Sequence, residues 1–165
     1  MPKVVVVMGS KSDLEVCAPA VKVLKKYGVE TSLRVCSAHR TPNEAHLLAS
    51  KAIDNGFEVI IAAAGKSAHL AGVLAAYTTL PVIALPIQTS FMGGLDSLLS
   101  MVQMPSGIPV ATAPVNGGEN AGILALQILG IKYPDIRKKL IEAKAAMADA
   151  VRADDAAIQE TLKSL

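Results

Sequence analysis

The sequence predicts a three-layer α/β fold, in which a doubly wound parallel sheet of about five strands lies between two layers of helices. Short β-rich runs alternate with helical patterns along the chain, as they do in repeated βαβ units. In addition, the run VVVVM (4–8) and the part of EVIIAAA (58–64) that follows Glu58 are continuously apolar. Such runs are typical of parallel strands that are buried on both faces.

The predicted elements follow one another in a regular order. We expect strands at Lys3–Met8, Thr31–Cys36, Glu58–Ala64, Val82–Leu85 and Val110–Thr112. We expect helices at Asp13–Tyr27, Pro42–Asn55, His69–Tyr77, Leu95–Gln103 and Glu119–Leu129. Gly28, Gly56 and Gly130 occupy positions where glycine favours a C-terminal helix cap. Right-handed crossovers between such units favour a flavodoxin-like strand order.

A long helix is predicted at the C-terminal end, over residues 134–163 (Pro134 to Lys163). It would be roughly 40 Å long, which is more than a sheet of five-residue strands can cover. We therefore expect part of it to pack on another subunit; the alternative is a helix that breaks near Asp154 and Asp155. A second candidate interface is the apolar cluster around Met92, Met101 and Met104, because methionine-rich surfaces suit protein contacts. Its alternative is a simple core helix.

Composition narrows the classes of function. Hydrophobic residues make up 52% of the chain, yet every apolar run is shorter than the roughly 18 residues of a membrane span, so no membrane partner is expected. The net charge is only +2 and aromatic residues make up 3%, which argues against nucleic-acid binding. Cys17 and Cys36 do not have a metal-binding spacing and are interpreted as reduced thiols of a cytoplasmic protein.

Small, polar, glycine-rich segments follow the five predicted strands. In open α/β sheets, ligands bind beyond the carboxyl ends of the strands, so we expect these segments to converge on one rim. They are GSKSD (9–13), SAHRTP (37–42), AGKSAHL (64–70), PIQTSFMGG (86–94) and APVNGGEN (113–120).

Two of these segments carry a helix-start signature. Ser12 with Glu15 fits a capping box, and so does Thr41 with Glu44, while Pro42 stands at the favoured first helical position. Free N–H groups and the partial positive charge of a helix N-terminus suit a phosphate. The alternative is that these residues serve only as caps and turns.

A phosphorylated ligand has several candidate contacts in the same two segments. Ser10 and Ser12 lie at one predicted helix N-terminus, and Arg40 could clamp a phosphate with two parallel hydrogen bonds. Asp13 could accept hydrogen bonds from ribose hydroxyls. The chain contains neither GxGxxG nor GxxxxGK[ST], so neither a dinucleotide site nor a P-loop is predicted.

Three histidines are candidates for proton transfer or metal binding. His39 follows a strand end and is the best proton-transfer candidate, because imidazole titrates near neutral pH. His69 also follows a strand end, and either a ligand contact or a structural hydrogen bond is expected there. His46 falls inside a helix, where a structural or surface role is expected. No acidic residue has a usable spacing to these histidines, so no metal site is predicted.

At GSKSD and SAHRTP the sequence resembles the N5-carboxyaminoimidazole ribonucleotide mutase (PurE) family, and the resemblance covers roughly residues 3–130. It continues through VIIAAAGKSAHLAG, LPVIALP, GLDSLLSMVQMPSGIPVAT and NAGILALQILG. The length of the chain suits a single domain, residues 1–165, and the resemblance implies that this domain is catalytic. It further implies a homo-octamer and an isomerase of purine (IMP) biosynthesis that needs no metal or cofactor. Its ribonucleotide substrate would be supplied by a functional partner, N5-carboxyaminoimidazole ribonucleotide synthetase.

The resemblance also implies roles for individual residues. His39 matches the family's catalytic histidine, which would protonate N5 as CO2 leaves and then remove the C4 proton after CO2 has added there. Ser10, Asp13 and Arg40 match nucleotide-binding positions. The remaining expected substrate contacts are Ser12, Ser37, Gly65, Lys66, Ser67 and His69.

One segment departs from the mutase pattern. Residues 65–72 read GKSAHLAG, where the mutases usually have Gly-Gly-Ala-Ala-His-Leu-Pro-Gly. A basic residue followed by serine resembles the related carboxylases, which use free CO2 and carry Gly-Arg-Ser-Asn; residues 104–107 (MPSG) are shared with them too. Lys66 could bind a carboxylate or phosphate, or be a solvated loop lysine. Because SAHRTP and DSLLSMVQMP follow the mutases, we predict a mutase. A direct aminoimidazole ribonucleotide carboxylase and a non-catalytic nucleotide-binding module are the alternatives.

Overall fold

The five predicted strands form one parallel sheet in a computed structural model, which describes residues 1–164. The strands are β1 (Lys3–Met8), β2 (Glu30–Val35), β3 (Val59–Ala64), β4 (Val82–Pro86) and β5 (Ala111–Thr112). Their order is β2-β1-β3-β4-β5, and every neighbouring pair is parallel. The predicted flavodoxin-like order is therefore confirmed.

Helices cover both faces of this sheet. They are α1 (Leu14–Lys26), α2 (Pro42–Ser50), α3 (Leu70–Ala76), α4 (Leu95–Val102), α5 (Gly118–Lys132) and α6 (Pro134–Leu162), with short 3-10 turns at Lys11–Asp13 and Met92–Gly94. In β1, Val4 and Val6 belong to the core beneath α1 and α5, whereas Val5 and Val7 belong to the core beneath α2, α3 and α4. Burial on both faces explains why the central strands are continuously apolar.

Helices α1 and α5 approach each other closely at two glycines. An ideal Cβ built on Gly118 would overlap the backbone carbonyl oxygen of Val16. A Cβ on Gly122 would lie 3.0 Å from the carbonyl oxygen of Ala20. The hydrogen side chains of these glycines therefore let the two helix backbones come into direct contact.

Two helix ends differ from the sequence-based expectation. Helix α2 ends at Ser50 rather than Asn55 and is followed by turns. Helix α5 continues to Lys132, so the prediction that Gly130 caps it is wrong. A Cβ on Gly130 would lie 3.5 Å from the backbone of Arg137 in α6, an ordinary van der Waals distance, so this glycine lies where α5 meets the next helix. Gly28 and Gly56 have φ values of +79° and +77°, as expected at helix-terminating turns.

The long C-terminal helix is confirmed, and it does not break near Asp154 and Asp155. It spans 29 residues, about 43 Å at the usual helical rise. Its first turns pack on α5 through Ile136, which is buried, whereas every described residue from Lys144 onward is exposed. No helix within residues 1–164 combines the length and apolarity that crossing a bilayer requires.

The methionine cluster near α4 divides between core and surface. Met101 is fully buried and packs beneath the sheet, as a core helix requires. Met92 is 71% exposed, and Leu99 and Val102 of α4 are also exposed. Only this second group leaves apolar surface available for another chain.

The two cysteines are free and buried on opposite faces of the sheet. The sheet between them keeps Cys17 and Cys36 from reaching each other. Burial, and secondarily the charge of Asp13, raises the pKa of the Cys17 thiol to about 12. Because the thiolate is the nucleophilic form, this burial disfavours nucleophilic chemistry at Cys17.

Candidate active site

A cavity of about 690 Å³ lies beyond the carboxyl ends of β1, β2, β3 and β4. It surrounds the point between β1 and β3 where the strand order reverses, which is where open α/β sheets bind ligands. Its volume is typical of small-molecule sites. All ten predicted site residues line it: Ser10, Ser12, Asp13, Ser37, His39, Arg40, Gly65, Lys66, Ser67 and His69.

The segment after β1 is held by a capping box two residues earlier than predicted. Ser10 Oγ accepts a hydrogen bond from the backbone N–H of Ser12 (3.3 Å), and Asp13 Oδ2 accepts one from the N–H of Ser10 (3.2 Å). The predicted pairing of Ser12 with Glu15 is therefore wrong, because a 3-10 turn precedes α1 and makes Ser10 the cap. Ser12 Oγ instead donates to Ser10 Oγ (2.9 Å) or Asp13 Oδ1 (3.1 Å).

The segment after β2 is closed by Thr41. Thr41 Oγ1 accepts a hydrogen bond from the N–H of Ser37 and donates one to the carbonyl oxygen of Ser37, both at 3.0 Å. Thr41 makes no side-chain cap on α2, so the predicted capping box with Glu44 is wrong, whereas Pro42 does occupy the start of the helix. Closing this turn is what projects His39 and Arg40 into the cavity.

Arg40 connects the first two segments. Its Nη2 donates to the carbonyl oxygen of Gly9 (3.0 Å), and its backbone N–H donates to Ser37 Oγ (3.2 Å). No carboxylate among residues 1–164 forms a salt bridge with it. The guanidinium is thus held in place by neutral oxygens and leaves its positive charge uncompensated, which suits the binding of an anion.

His39 and His69 are in direct contact. His39 Nε2 lies 2.9 Å from His69 Nδ1, and the two rings meet edge to face at 83°. One of these nitrogens carries the hydrogen and the other accepts it, so the pair holds one shared proton at the contact. His46 is elsewhere, on α2, with its ring 4.5 Å from that of Tyr77.

The segment after β4 reaches the cavity, as predicted for PIQTSFMGG (86–94), and supplies lining residues that were not individually predicted. Ile87, Gln88, Thr89 and Ser90 line the cavity; the only sequence signal for them was their position after a strand. The segment after β5 lines no part of it, contrary to the expected rim of five segments. Its Asn116 instead supports the fourth segment, by accepting from the N–H of Gln88 (2.9 Å) and donating to Gln88 Oε1 (3.0 Å).

Metal-ligating side chains are dispersed in this structure. Within residues 1–164, no three His, Cys, Asp or Glu side chains are grouped closely enough to hold a metal ion. The cavity therefore offers a hydrogen-bonded histidine pair, an uncompensated arginine, and a set of hydroxyl and backbone groups.

Comparison with known proteins identifies the family. The model of the AIR carboxylase family matches residues 3–150. The N5-carboxyaminoimidazole ribonucleotide mutase of Pyrococcus abyssi is 57% identical over 140 residues, which cover 85% of this chain and 80% of that protein. The mutase of Thermotoga maritima is 52% identical over 147 residues, covering 89% and 86%. The crystal structure of Treponema denticola PurE matches with a TM-score of 0.87 at 27% identity, covering 94% of this chain and 98% of that chain. This chain therefore belongs to the AIR carboxylase family.

Proposed function

We propose that this protein is a mutase that interconverts N5-carboxyaminoimidazole ribonucleotide and 4-carboxy-5-aminoimidazole ribonucleotide in purine (IMP) biosynthesis. The observation that carries the proposal is the His39–His69 contact of 2.9 Å inside a cavity that also contains the uncompensated Arg40. Proton transfer and anion binding are the two tasks that this conversion requires. The mutases of Pyrococcus abyssi and Thermotoga maritima are relatives at more than half identity.

The phosphate of the nucleotide is assigned to the segments after β1 and β2. Arg40 supplies charge, and Ser10 and Ser12 supply hydroxyl groups at the start of α1. Asp13 and Ser37 line the same end, where a carboxylate can accept from ribose hydroxyls. The aminoimidazole ring of the nucleotide then extends toward the His39–His69 pair and the segment after β3.

His39 is assigned both proton transfers. As an imidazolium, it gives a proton to N5 while the N5–carboxyl bond breaks, so that the bonding electrons remain on N5 and CO2 is released. The nucleophilic C4 then attacks CO2, and the neutral imidazole removes the proton from C4. His39 ends in its original protonation state, so one group serves as acid and then as base.

We further propose that the chain assembles into a homo-octamer, because neighbouring subunits would shield the site from water and so retain CO2 between these steps. His39 and His69 are exposed to solvent in the chain taken alone, whereas a trapped CO2 requires a site that excludes water. Helix α6 leaves Ile141, Met147 and Val151 at least 60% exposed, and such apolar surface favours subunit contacts. We place this assembly in the cytoplasm, with N5-carboxyaminoimidazole ribonucleotide synthetase as the source of substrate.

Analytical ultracentrifugation tests the assembly. We expect one species of eight chains, each of 17.1 kDa, and we expect Met147→Glu with Val151→Glu to dissociate it because both charges would be buried. Lys138→Glu, a charge change on the exposed start of the same helix, serves as the control. A wild-type monomer at micromolar concentration would contradict the proposal.

Direct carboxylation of aminoimidazole ribonucleotide by free CO2 is the second candidate function. The observation that favours it is the basic Lys66 followed by Ser67 on the cavity wall. Turnover assays distinguish the two reactions. A mutase converts the N5-carboxylated nucleotide without added bicarbonate, whereas a carboxylase requires CO2 and the uncarboxylated nucleotide. Binding without turnover of either nucleotide would instead favour a non-catalytic nucleotide-binding module.

Replacement of Arg40 tests the phosphate assignment. We expect Arg40→Ala to raise KM by about tenfold or more, because a charge-assisted hydrogen bond contributes about 1.5–3 kcal/mol, while kcat changes little. Arg40→Lys retains the charge but not the planar fork, and we expect an intermediate KM. Steady-state kinetics give both constants. Unchanged KM and kcat in Arg40→Ala would count against the assignment.

Replacement of His69 tests the histidine contact. His69→Leu removes the hydrogen-bond partner of His39 Nε2, and we expect kcat to fall about tenfold or more because the orientation and tautomer of His39 are no longer fixed. In His69→Asn the side-chain amide can stand in for Nδ1, so most activity and a near-normal pH–rate profile are expected. If the two variants lose the same activity, the hydrogen bond is not what His69 contributes.

A further inference from the structure

We propose that Lys66 recognises the carboxylate of the nucleotide and makes the site select carboxylated over uncarboxylated aminoimidazole ribonucleotides. This inference rests on the proposed function and goes beyond it, since neither the histidine pair nor Arg40 distinguishes the two nucleotides.

The backbone at Lys66 is the first observation. Its φ is +58°, in the left-handed region that glycine adopts freely and that lysine rarely occupies. Such strain is typical of residues that position a side chain at a functional site. The segment lies beside α4, where Ser100 Oγ donates to the carbonyl oxygen of Asp96 (2.6 Å) and lies 3.5 Å from the carbonyl oxygen of Lys66.

Lys66 lies between two openings at the protein surface. It lines both the main cavity and an adjoining groove of about 460 Å³. Asp96 also lines that groove, where its Oδ1 accepts from Thr89 Oγ1 at 2.7 Å and its carboxylate lies beyond salt-bridge distance of the Lys66 ammonium. No carboxylate of residues 1–164 forms a salt bridge with the Lys66 ammonium. The charge is therefore available to a ligand.

The cavity thus contains two uncompensated cations on different segments. Arg40 follows β2 and contacts the segment after β1, whereas Lys66 follows β3, on the same short segment as His69. The proposed substrate and product each carry two anionic groups, a phosphate and a carboxylate. If the phosphate lies at Arg40, the carboxylate of the nucleotide lies near His39 and His69. Lys66 is the cation in the segment after β3, which also contains His69.

The position also predicts which kinetic constant changes. Substrate and product both carry the carboxylate, which becomes neutral CO2 between them in the proposed mechanism, so Lys66 binds the two ground states more strongly than the CO2 intermediate. An interaction that is no stronger in the transition state than in the ground state lowers KM without raising kcat. Lys66 is therefore a specificity residue and not a catalytic one.

The test compares Lys66→Asn with Lys66→Arg. Asparagine tolerates a positive φ but has no charge, whereas arginine keeps the charge. For Lys66→Asn we expect KM for the N5-carboxylated nucleotide to rise about tenfold, with kcat not lowered and the Kd of the uncarboxylated nucleotide within about twofold of wild type. Lys66→Arg should retain a near-normal KM.

Three results would overturn the inference. Equal loss of affinity for both nucleotides would assign Lys66 to the phosphate, and no change for either would make it a solvated lysine. A stabilising ion pair with Asp96 would appear as a lowered Tm in both Lys66→Asn and Asp96→Asn, with no further loss in the double variant. Wild-type protein is assayed first on the N5-carboxylated nucleotide, because absent turnover there would contradict the proposed function itself.

Discussion

His39→Asn is expected to lower kcat by at least about 1,000-fold, within the range that general acid–base catalysis contributes, while the nucleotide still binds. Asparagine is polar and smaller than histidine, so it fits the exposed position without disturbing the fold. It does not titrate near neutral pH and can neither give a proton to N5 nor remove one from C4. It also lacks a group at the position of Nε2, which lies 2.9 Å from His69 Nδ1.

The measurement separates chemistry from binding. Single-turnover kinetics at saturating substrate give the rate of conversion, and calorimetry gives the Kd of the product nucleotide. His46→Asn is the matched control, because it makes the same substitution at an exposed histidine on α2 that does not line the cavity. Its activity should equal that of wild type. Near-normal activity in His39→Asn would remove His39 from the proposed mechanism.

The sequence was most informative about the central strands. In β1 and β3 the burial of successive residues on both faces left continuous apolar runs, and these are readable without any knowledge of the partner elements. Strand β5 has only two residues, and its placement depended on the alternation of strands and helices along the chain. The position of the candidate site then followed, because the carboxyl ends of parallel strands share one edge of the sheet.

Hydrogen-bond partners within the site were less predictable. The spacing of Thr41 and Glu44 fits a capping box, but Thr41 instead closes a turn with Ser37. Which partner Thr41 takes depends on the path of the backbone between β2 and α2, and sequence spacing does not determine that path. Likewise, the contact between His39 and His69 joins residues 30 positions apart, and only the parallel sheet brings their segments together.

The close approach of α1 and α5 was also invisible in the sequence. Glycines near a helix start are ordinarily interpreted as turn residues, and the segment APVNGGEN was interpreted as part of the cavity rim. In the structure, Gly118 begins α5 and lies against the backbone of Val16. This glycine is required because of its neighbour, not because of its own dihedral angles.

Gly118→Ala is accordingly expected to destabilise the protein by about 3 kcal/mol or more, the upper range for overpacking a rigid site. The added methyl group would overlap the carbonyl oxygen of Val16, and a helix backbone cannot move aside as a flexible side chain can. Helices α1 and α5 would have to separate, which would open the core that they cover on that face of the sheet.

Gly130→Ala in the same helix is the matched control. Its Cβ would meet Arg137 at 3.5 Å, an ordinary van der Waals distance, and alanine is favoured over glycine inside a helix by about 1 kcal/mol. We expect Gly130→Ala to be neutral or stabilising and Gly118→Ala to show a markedly lower Tm, both measured at the same protein concentration. Equal Tm values for the two variants would mean that the backbones of α1 and α5 are farther apart than the contact between Gly118 and the carbonyl oxygen of Val16 requires.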